Sequence, residues 1–297
     1  MSGSRKISLI TIDFNGLELT CALLDSLRRN VSTPLEVIVV DNASKVNEAE
    51  VIREKYPEVK AIRSEENLGF AGGNNLGARY ATGEWLFFLN NDTEILEDNL
   101  DALLKAFEVD ENIGIVCPKI RFWAGSRKIQ FAGYTEMKGI ALRNHMVGYG
   151  CEDDGSFDSP GETFFAHGAA MMVSRKAWED VGPMPECYFL YYEELDWALM
   201  FRRKGWKIYY EPSQTIFHKE SATTGRQSPL RSYYMTRSRL LFTRRNYKDR
   251  KGALAFAYWA SCAKKVIVNL LHGRPDLAKA VLKARRDFRK MRKEGLC

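Results

Sequence analysis

No Cys-x-x-Cys pair occurs among the six cysteines at positions 21, 117, 151, 187, 262 and 297, so neither a zinc knuckle nor a disulfide framework is indicated. A reducing, cytoplasmic setting is the expectation. No secretory signal is predicted either, because Met1–Lys6 is polar and the first apolar run is only a strand long. The apolar run Ala253–Ala263 meets Lys264 and Lys265 too soon for a membrane span. The dinucleotide fingerprint G-x-G-x-x-G is missing after the first strand, as is a Walker phosphate loop, which excludes those nucleotide-binding classes. Internal repeats and low-complexity linkers are absent as well.

What remains is a chain of 297 residues with 45% hydrophobic and 12% aromatic content, enough to bury a large core. Three apolar stretches end in small polar residues and acids. Ile7–Ile12 runs into Asp13-Phe14-Asn15-Gly16, Leu35–Val40 into Asp41-Asn42-Ala43-Ser44, and Trp85–Leu89 into Asn90-Asn91-Asp92-Thr93. Amphipathic helical spacing fills Leu17–Arg29 and Val46–Tyr56 between them. Strands alternating with helices at this spacing predict an α/β fold with a parallel sheet and right-handed crossovers. Ligands bind such sheets outside the carboxyl ends of the strands, where an Asp can hold a divalent cation. By itself, Asp92 or Thr93 reads as the cap of a helix starting near Ile95.

Asn67–Gly77 (Asn-Leu-Gly-Phe-Ala-Gly-Gly-Asn-Asn-Leu-Gly) follows a predicted strand at Val59–Arg63 and leads into a helix ending near Ala81. Its glycines permit close backbone approach, and its Asn side chains supply neutral donors and acceptors. A nucleotide loop and a plain strand-to-helix turn both fit that composition. Glu193-Glu194-Leu195-Asp196 is an acidic cluster suited either to proton chemistry or to a helix amino terminus.

Taken in order, Ile10–Asn15, Val39–Ser44, Asn67–Gly77, Leu89–Thr93, Gly168–Met171, Phe189–Asp196 and Phe217-His218 resemble a family 2 glycosyltransferase, more narrowly its bacterial rhamnosyltransferase-like branch. The resemblance covers about residues 5–247. It implies the GT-A fold, an open, mostly parallel sheet flanked by helices, and inverting transfer from a nucleoside diphosphate sugar with Mn2+ or Mg2+. Position by position, Thr11, Asp13 and Asn15 would surround the nucleoside, and Asp41 would accept hydrogen bonds from base or ribose. Asn67, Gly69, Asn74, Asn91 and Gly168 would line the donor pocket. The D-x-D triplet appears as Asn90-Asn91-Asp92, which leaves Asp92 as its acidic ligand, with His218 near the metal or diphosphate. Arg226 and Arg237 would add positive charge there. Glu194 inherits the base position, where the family usually has Asp, and Asp196 is the reserve. His167 reads as structural, as do Trp178, Trp197 and Trp206, while Tyr191 and Tyr192 lie close enough to the base motif to meet an acceptor. The middle segment 124–163 would shape the acceptor site, and its acidic run at Glu152-Asp153-Asp154 reads as a solvated turn in preference to a metal site.

Residues 1–250 form the expected catalytic domain and 251–297 a basic helical extension. In Asp276–Lys293, Leu277, Val281, Ala284, Phe288 and Met291 make one stripe, with Lys279, Lys283, Arg286, Lys290 and Lys293 opposite. Such a helix suits an anionic membrane surface or packs on the domain with its basic face in water. The net charge of +6 concentrates here, yet no nucleic-acid module accompanies it, so no nucleic-acid partner is expected. The expected partners are the nucleoside diphosphate sugar, a saccharide or lipid-linked saccharide acceptor, and an anionic membrane surface for a peripheral enzyme. A catalytically silent nucleotide-sugar-binding subunit is the alternative.

Overall fold

The computed structural model describes residues 6–123, 125–219 and 228–295. Its amino-terminal half alternates β1 (Ile7–Asp13), α1 (Leu17–Asn30), β2 (Leu35–Asp41), α2 (Glu48–Lys55), β3 (Lys60–Arg63), α3 (Gly69–Tyr80) and β4 (Trp85–Leu89). These strands pair in parallel in the order β3-β2-β1-β4. Ile7, Leu9, Ile10, Ile38, Val39, Val40 and Leu86–Leu89 are buried, as strands covered on both faces require. The register sets Asp13 beside Asp41 at the carboxyl edge.

Because α3 begins at Gly69, Gly73 and Gly77 lie inside a helix rather than in a ligand loop. A Cβ at Gly77 would stand 2.5 Å from Ile10 Cγ2, and one at Gly73 would stand 2.9 Å from Ile12 Cδ1. Glycine at both places lets α3 seat closely on β1. Gly77→Ala is therefore expected to lower stability by about 1–3 kcal/mol through overpacking, measured by urea unfolding. An unchanged midpoint would mean that the helix shifts freely.

Beyond β4 the sheet is mixed. The chain continues through β5 (Thr93–Glu94), α4 (Leu100–Ala106), β6 (Ile113–Phe122), β7 (Ile129–Phe131), β8 (Gly161–Glu162), β9 (Ala170–Ser174), α5 (Arg175–Val181), a 3-10 turn at Glu186–Tyr188, α6 (Glu193–Arg203) and β10 (Lys207–His218). The sheet order becomes β3-β2-β1-β4-β9-β6-β10-β5, with β7 beside β6 and β8 beside β10. Strand β9 is antiparallel to both β4 and β6, but β6 and β10 pair in parallel again, so the sheet is mostly parallel, as expected, with β9 set against the run. No helix starts near Ile95. Thr93 and Glu94 pair with His218 and Phe217 instead, and α4 begins at Leu100, so neither Asp92 nor Thr93 is a helix cap. The acidic run is also settled by pairing, since Asp153 meets Lys119 at 2.9 Å and Arg121 at 3.5 Å. Trp197 is fully buried, and Trp178 and Trp206 pack against the core, as expected.

After α7 (Pro229–Asn246), α8 (Lys251–Phe256), a π-helical stretch (Ala257–Ser261) and α9 (Cys262–Leu271) run as one helix from Lys251 to Leu271. It passes through Lys264 and Lys265 without a break and, by length and composition alone, is long and apolar enough to cross a membrane. The last helix, α10 (Pro275–Lys293), lies against α7 and α9. Val281, Ala284 and Phe288 of its apolar stripe are buried there, and Phe288 forms a small separate core with Leu240 and Ala257. Of the two readings of this stripe, packing is the one realised.

Candidate active site

Asp13 ends β1 fully buried, and its Oδ1 accepts from Thr20 Oγ1 at 2.8 Å and Asn91 Nδ2 at 3.3 Å. Burial, followed by the neighbouring Glu48 carboxyl, pushes the Asp13 carboxyl well above the usual range, and its Oδ2 is buried without a hydrogen-bond partner. Thr11 Oγ1, two residues earlier, is likewise buried and unpartnered. Such groups cost stability unless something else satisfies them. Asn15 adopts φ 52°, donates its backbone N–H to Ser44 Oγ at 2.8 Å and accepts from Lys45 N–H at 2.9 Å. It thereby ties the ends of β1 and β2 together. Asp41 is fully engaged: Oδ1 accepts from Ser44 N–H at 2.8 Å, and Oδ2 accepts from Glu48 N–H at 3.1 Å and pairs with Arg63. Its carboxylate therefore shapes the turn after β2.

The Asn67 side-chain carbonyl accepts from Gly69 N–H at 2.9 Å and from Asn42 Nδ2 at 3.2 Å. Gly69 has φ +71°, and a Cβ there would lie 2.3 Å from the Phe189 carbonyl oxygen. That oxygen accepts from Phe70 N–H at 2.8 Å, so this glycine locks the loop to the segment that precedes α6. Asn74 turns back to the Phe70 carbonyl at 3.1 Å, whereas Asn75 bridges to Met184 and Glu186, a role the sequence pattern did not distinguish. Phe189, Tyr191 and Tyr192 all have positive φ, an expensive backbone for side chains of that size. Helix α7 holds the strained loop: Ser238 Oγ donates to the Leu190 carbonyl at 2.8 Å, and the Arg237 guanidinium donates to the Tyr188 carbonyl. Arg237 thus clamps the loop, while Arg226 lies outside the described residues.

The β5–β10 pairing brings together two residues that are far apart in sequence. Asp92 Oδ1 and His218 Nε2 stand 3.1 Å apart, both nearly buried. His218 Nδ1 meets Gln130 Oε1 at 2.8 Å, and Gln130 itself is buried on β7. A proton on Nδ1 donated to Gln130 leaves the Nε2 lone pair facing the carboxylate, an arrangement that needs a cation or a further proton between them. Two ligand bonds of about 2.1 Å at right angles span about 3.0 Å, so the pair suits a divalent cation. Among the described residues no cluster of three or more His, Cys, Asp or Glu accompanies it, so other oxygens would complete the shell. His167 lies beside this pair, with its ring centroid 6.3 Å from that of His218. Burial pushes its pKa down to about 3, so the ring is neutral, and its Nδ1 accepts from Ala169 N–H at 3.1 Å. Tyr134 stacks on it at 6.2 Å.

Helix α6 carries the acidic cluster at its first turn. Burial raises the Glu194 carboxyl to about 7 even though the backbone amides at the start of the helix lower it, so the group changes charge near neutrality. A Cβ at Gly168 would sit 3.7 Å from Glu194 Cγ and 3.6 Å from the Phe70 ring, which places glycine, carboxylate and the Asn67 loop side by side. Tyr134 is close enough that the Glu194 charge, after burial, raises its hydroxyl pKa. Glu193 is buried, with Oε2 unpartnered and its carboxyl pushed far up by burial and then by Glu194. Asp196 points elsewhere: its Oδ2 accepts from Tyr188 hydroxyl at 2.8 Å and pairs with Arg245 Nε at 2.7 Å. The reserve base of the sequence reading is therefore a structural ion pair that ties α6 to α7.

Thr11, Asp13, Asn15, Asp41 and Asn91 gather at the carboxyl edge of β1 and β2, and Asn67, Gly69, Gly168 and Glu194 share a second cluster. Gln130 and Tyr134 were missed by the sequence pattern, which marked Glu193 only as one member of its acidic cluster. Gln130 and Tyr134 fall in segment 124–163, where a strand as short as β7 cannot be told from a loop and no motif marked them.

Residues 8–182, more than half of the chain, match the model of Glycosyl transferase family 2. An uncharacterized glycosyltransferase of Haemophilus influenzae is 36% identical over 111 residues, which is 37% of this chain and 37% of that protein. The N-acetylglucosaminyl-diphospho-decaprenol L-rhamnosyltransferase of Mycobacterium tuberculosis is 25% identical over 222 residues, covering 68% of this chain and 72% of that one. Among solved structures, the mannosyltransferase PcManGT of Pyrobaculum calidifontis, in complex with GDP-Man and Mn2+, superposes with a TM-score of 0.57 at 17% identity, covering 99% of this chain and 80% of its own. That likeness shows the GT-A fold. By the family match, the chain belongs to glycosyl transferase family 2.

Proposed function

We propose that this chain is an inverting, metal-dependent glycosyltransferase that moves a sugar from a UDP- or dTDP-sugar, dTDP-rhamnose among the candidates, to a saccharide or lipid-linked acceptor during bacterial surface polysaccharide synthesis. The observation that carries the reading is the Asp92–His218 pair at 3.1 Å, set at the carboxyl edge of a strand in the same sheet that aligns Asp13 with Asp41. In this reading Thr11, Asp13 and Asn15 receive the nucleoside, and Asn67, Asn74, Asn91 and Gly168 line the donor pocket. Asp41 acts on the nucleoside through the loop it holds. Asp92 and His218 would hold Mn2+ or Mg2+, which neutralises charge on the departing diphosphate. Gln130 fixes the His218 ring.

Glu194 takes the proton from the acceptor hydroxyl as that oxygen attacks the anomeric carbon, and the nucleoside diphosphate leaves from the opposite face. A carboxyl that titrates near 7 is matched to this task. The neutral ring of His167 cannot compete as an acid. The enzyme would work as a cytoplasmic protein peripheral to the membrane that carries its acceptor.

The test is thermal unfolding with UDP, dTDP and GDP, each with and without Mn2+. A pyrimidine diphosphate should stabilise most, and Mn2+ should increase the shift. A preference for GDP would overturn the donor assignment. Binding without any turnover of donor in the presence of acceptor would leave the silent-subunit alternative standing.

A further inference from the structure

We propose that the outer face of the Lys251–Leu271 helix, together with the basic groove beside it, docks this protein flat onto an anionic lipid bilayer. The inserting face is thus not the apolar stripe of α10, because Val281, Ala284 and Phe288 of that stripe are buried against α7. Packing of α10 instead leaves the preceding helix with one side covered and one side open. Ala253, Ala257 and Cys262 face inward, while Trp259, Ile267, Leu270 and Leu271 are 64%, 57%, 54% and 80% exposed. Exposed Ala263 joins them, and steps of four, four and three to four residues put all five on one helical face. A contiguous open apolar face of this kind marks an interaction site rather than scattered surface residues.

Charge says what covers it. A groove of about 690 Å3 beside Trp259 is lined by Arg244, Lys248, Lys251, Arg289 and Arg292, with no Asp or Glu. Lys251–Leu271 itself contains no acidic residue. Arg285 stacks over the Trp259 ring at 4.9 Å, joining apolar wedge and cationic rim. Tryptophan beside Lys and Arg suits the level of phospholipid headgroups, where apolar side chains reach the acyl boundary and cations meet phosphate. Pairing two copies of this face would oppose two cationic grooves, which disfavours a self-associated dimer. A transmembrane placement would strip Ala253, Ala257 and Cys262 from their packing. Lying in the interface keeps it. This inference deepens the reading of a membrane-borne acceptor and rests on it only for its biological purpose.

The experiment is co-sedimentation of the full chain with phosphatidylglycerol–phosphatidylcholine vesicles and with phosphatidylcholine alone. Preferential binding to the anionic vesicles is expected, and it should fall in about 1 M salt, where the screening length shrinks to about 3 Å. Ile267→Ser with Leu271→Ser, both at exposed positions, should weaken binding about tenfold or more without changing the melting temperature. Arg289→Glu with Arg292→Glu should abolish the anionic preference. Undiminished binding by either variant, or equal binding to neutral vesicles, would overturn the proposal. So would a wild-type dimer that Ile267→Ser with Leu271→Ser dissolves, since the face would then be a protein interface. Donor hydrolysis in solution, measured on the same variants, should be unchanged. Loss of hydrolysis in the wild type with intact vesicle binding would count against the enzyme reading alone.

Discussion

Glu194→Gln is expected to reduce sugar transfer by about 10²–10⁴-fold while nucleotide and metal binding stay normal, because the amide keeps its size but cannot take the acceptor proton. Single-turnover transfer with saturating donor measures it. The pH profile gives a second readout. The carboxyl must be ionised to act, so with a pKa of about 7 the rate should climb with pH through neutrality and level off above it. The variant should lose that limb. Stability runs the other way: a carboxyl raised from 4.5 to about 7 on folding holds its proton more tightly in the native state, so stability is lost as pH rises across that window. Glu194→Gln should therefore melt no lower than the parent at pH above 7. Asp196→Asn supplies the contrast, because it breaks the pair with Arg245 and should lower stability while the folded fraction still transfers sugar. Near-normal transfer by Glu194→Gln beside a folded but inactive Asp196→Asn would move the base to Asp196.

Asp92→Asn carries the other large effect. Removing residues that merely orient a metal ligand costs about 10–100-fold in affinity, so removing the carboxylate itself should cost at least that for Mn2+, measured by calorimetry with nucleoside diphosphate present. His218 would keep one contact, but its Nε2 would face an amide at 3.1 Å instead of a charge. The nucleotide should then bind the same with or without metal. An unaltered metal dependence in the variant would sink the cation site. Removing metal from the wild type with a chelator should reproduce the phenotype, which separates ligand loss from a folding defect.

Much of this site was legible in the chain because its parts are local. An apolar strand closing on an acid is a pattern within one short segment, so Asp13, Asp41 and Asp92 stood out, and the alternation of strands with helices predicted the parallel half of the sheet. Order along the chain also linked His218 and Glu194 to those segments by resemblance. Roles that depend on neighbours were not legible. Gly73 and Gly77 serve the seat of α3 on β1, and Asp196 belongs to Arg245, facts that require distances between segments. The apolar stripe of α10 is a property of periodicity, yet only packing chooses between lipid and α7 as its cover, because both bury the same side chains. By itself the sequence determined the family, the strand ends and the basic carboxyl end. Tertiary structure alone decided that β9 runs antiparallel between β4 and β6, that Gln130 meets His218, and that the open apolar face belongs to Lys251–Leu271. Local patterns state what a segment can bury; what it is buried against is set by the rest of the chain.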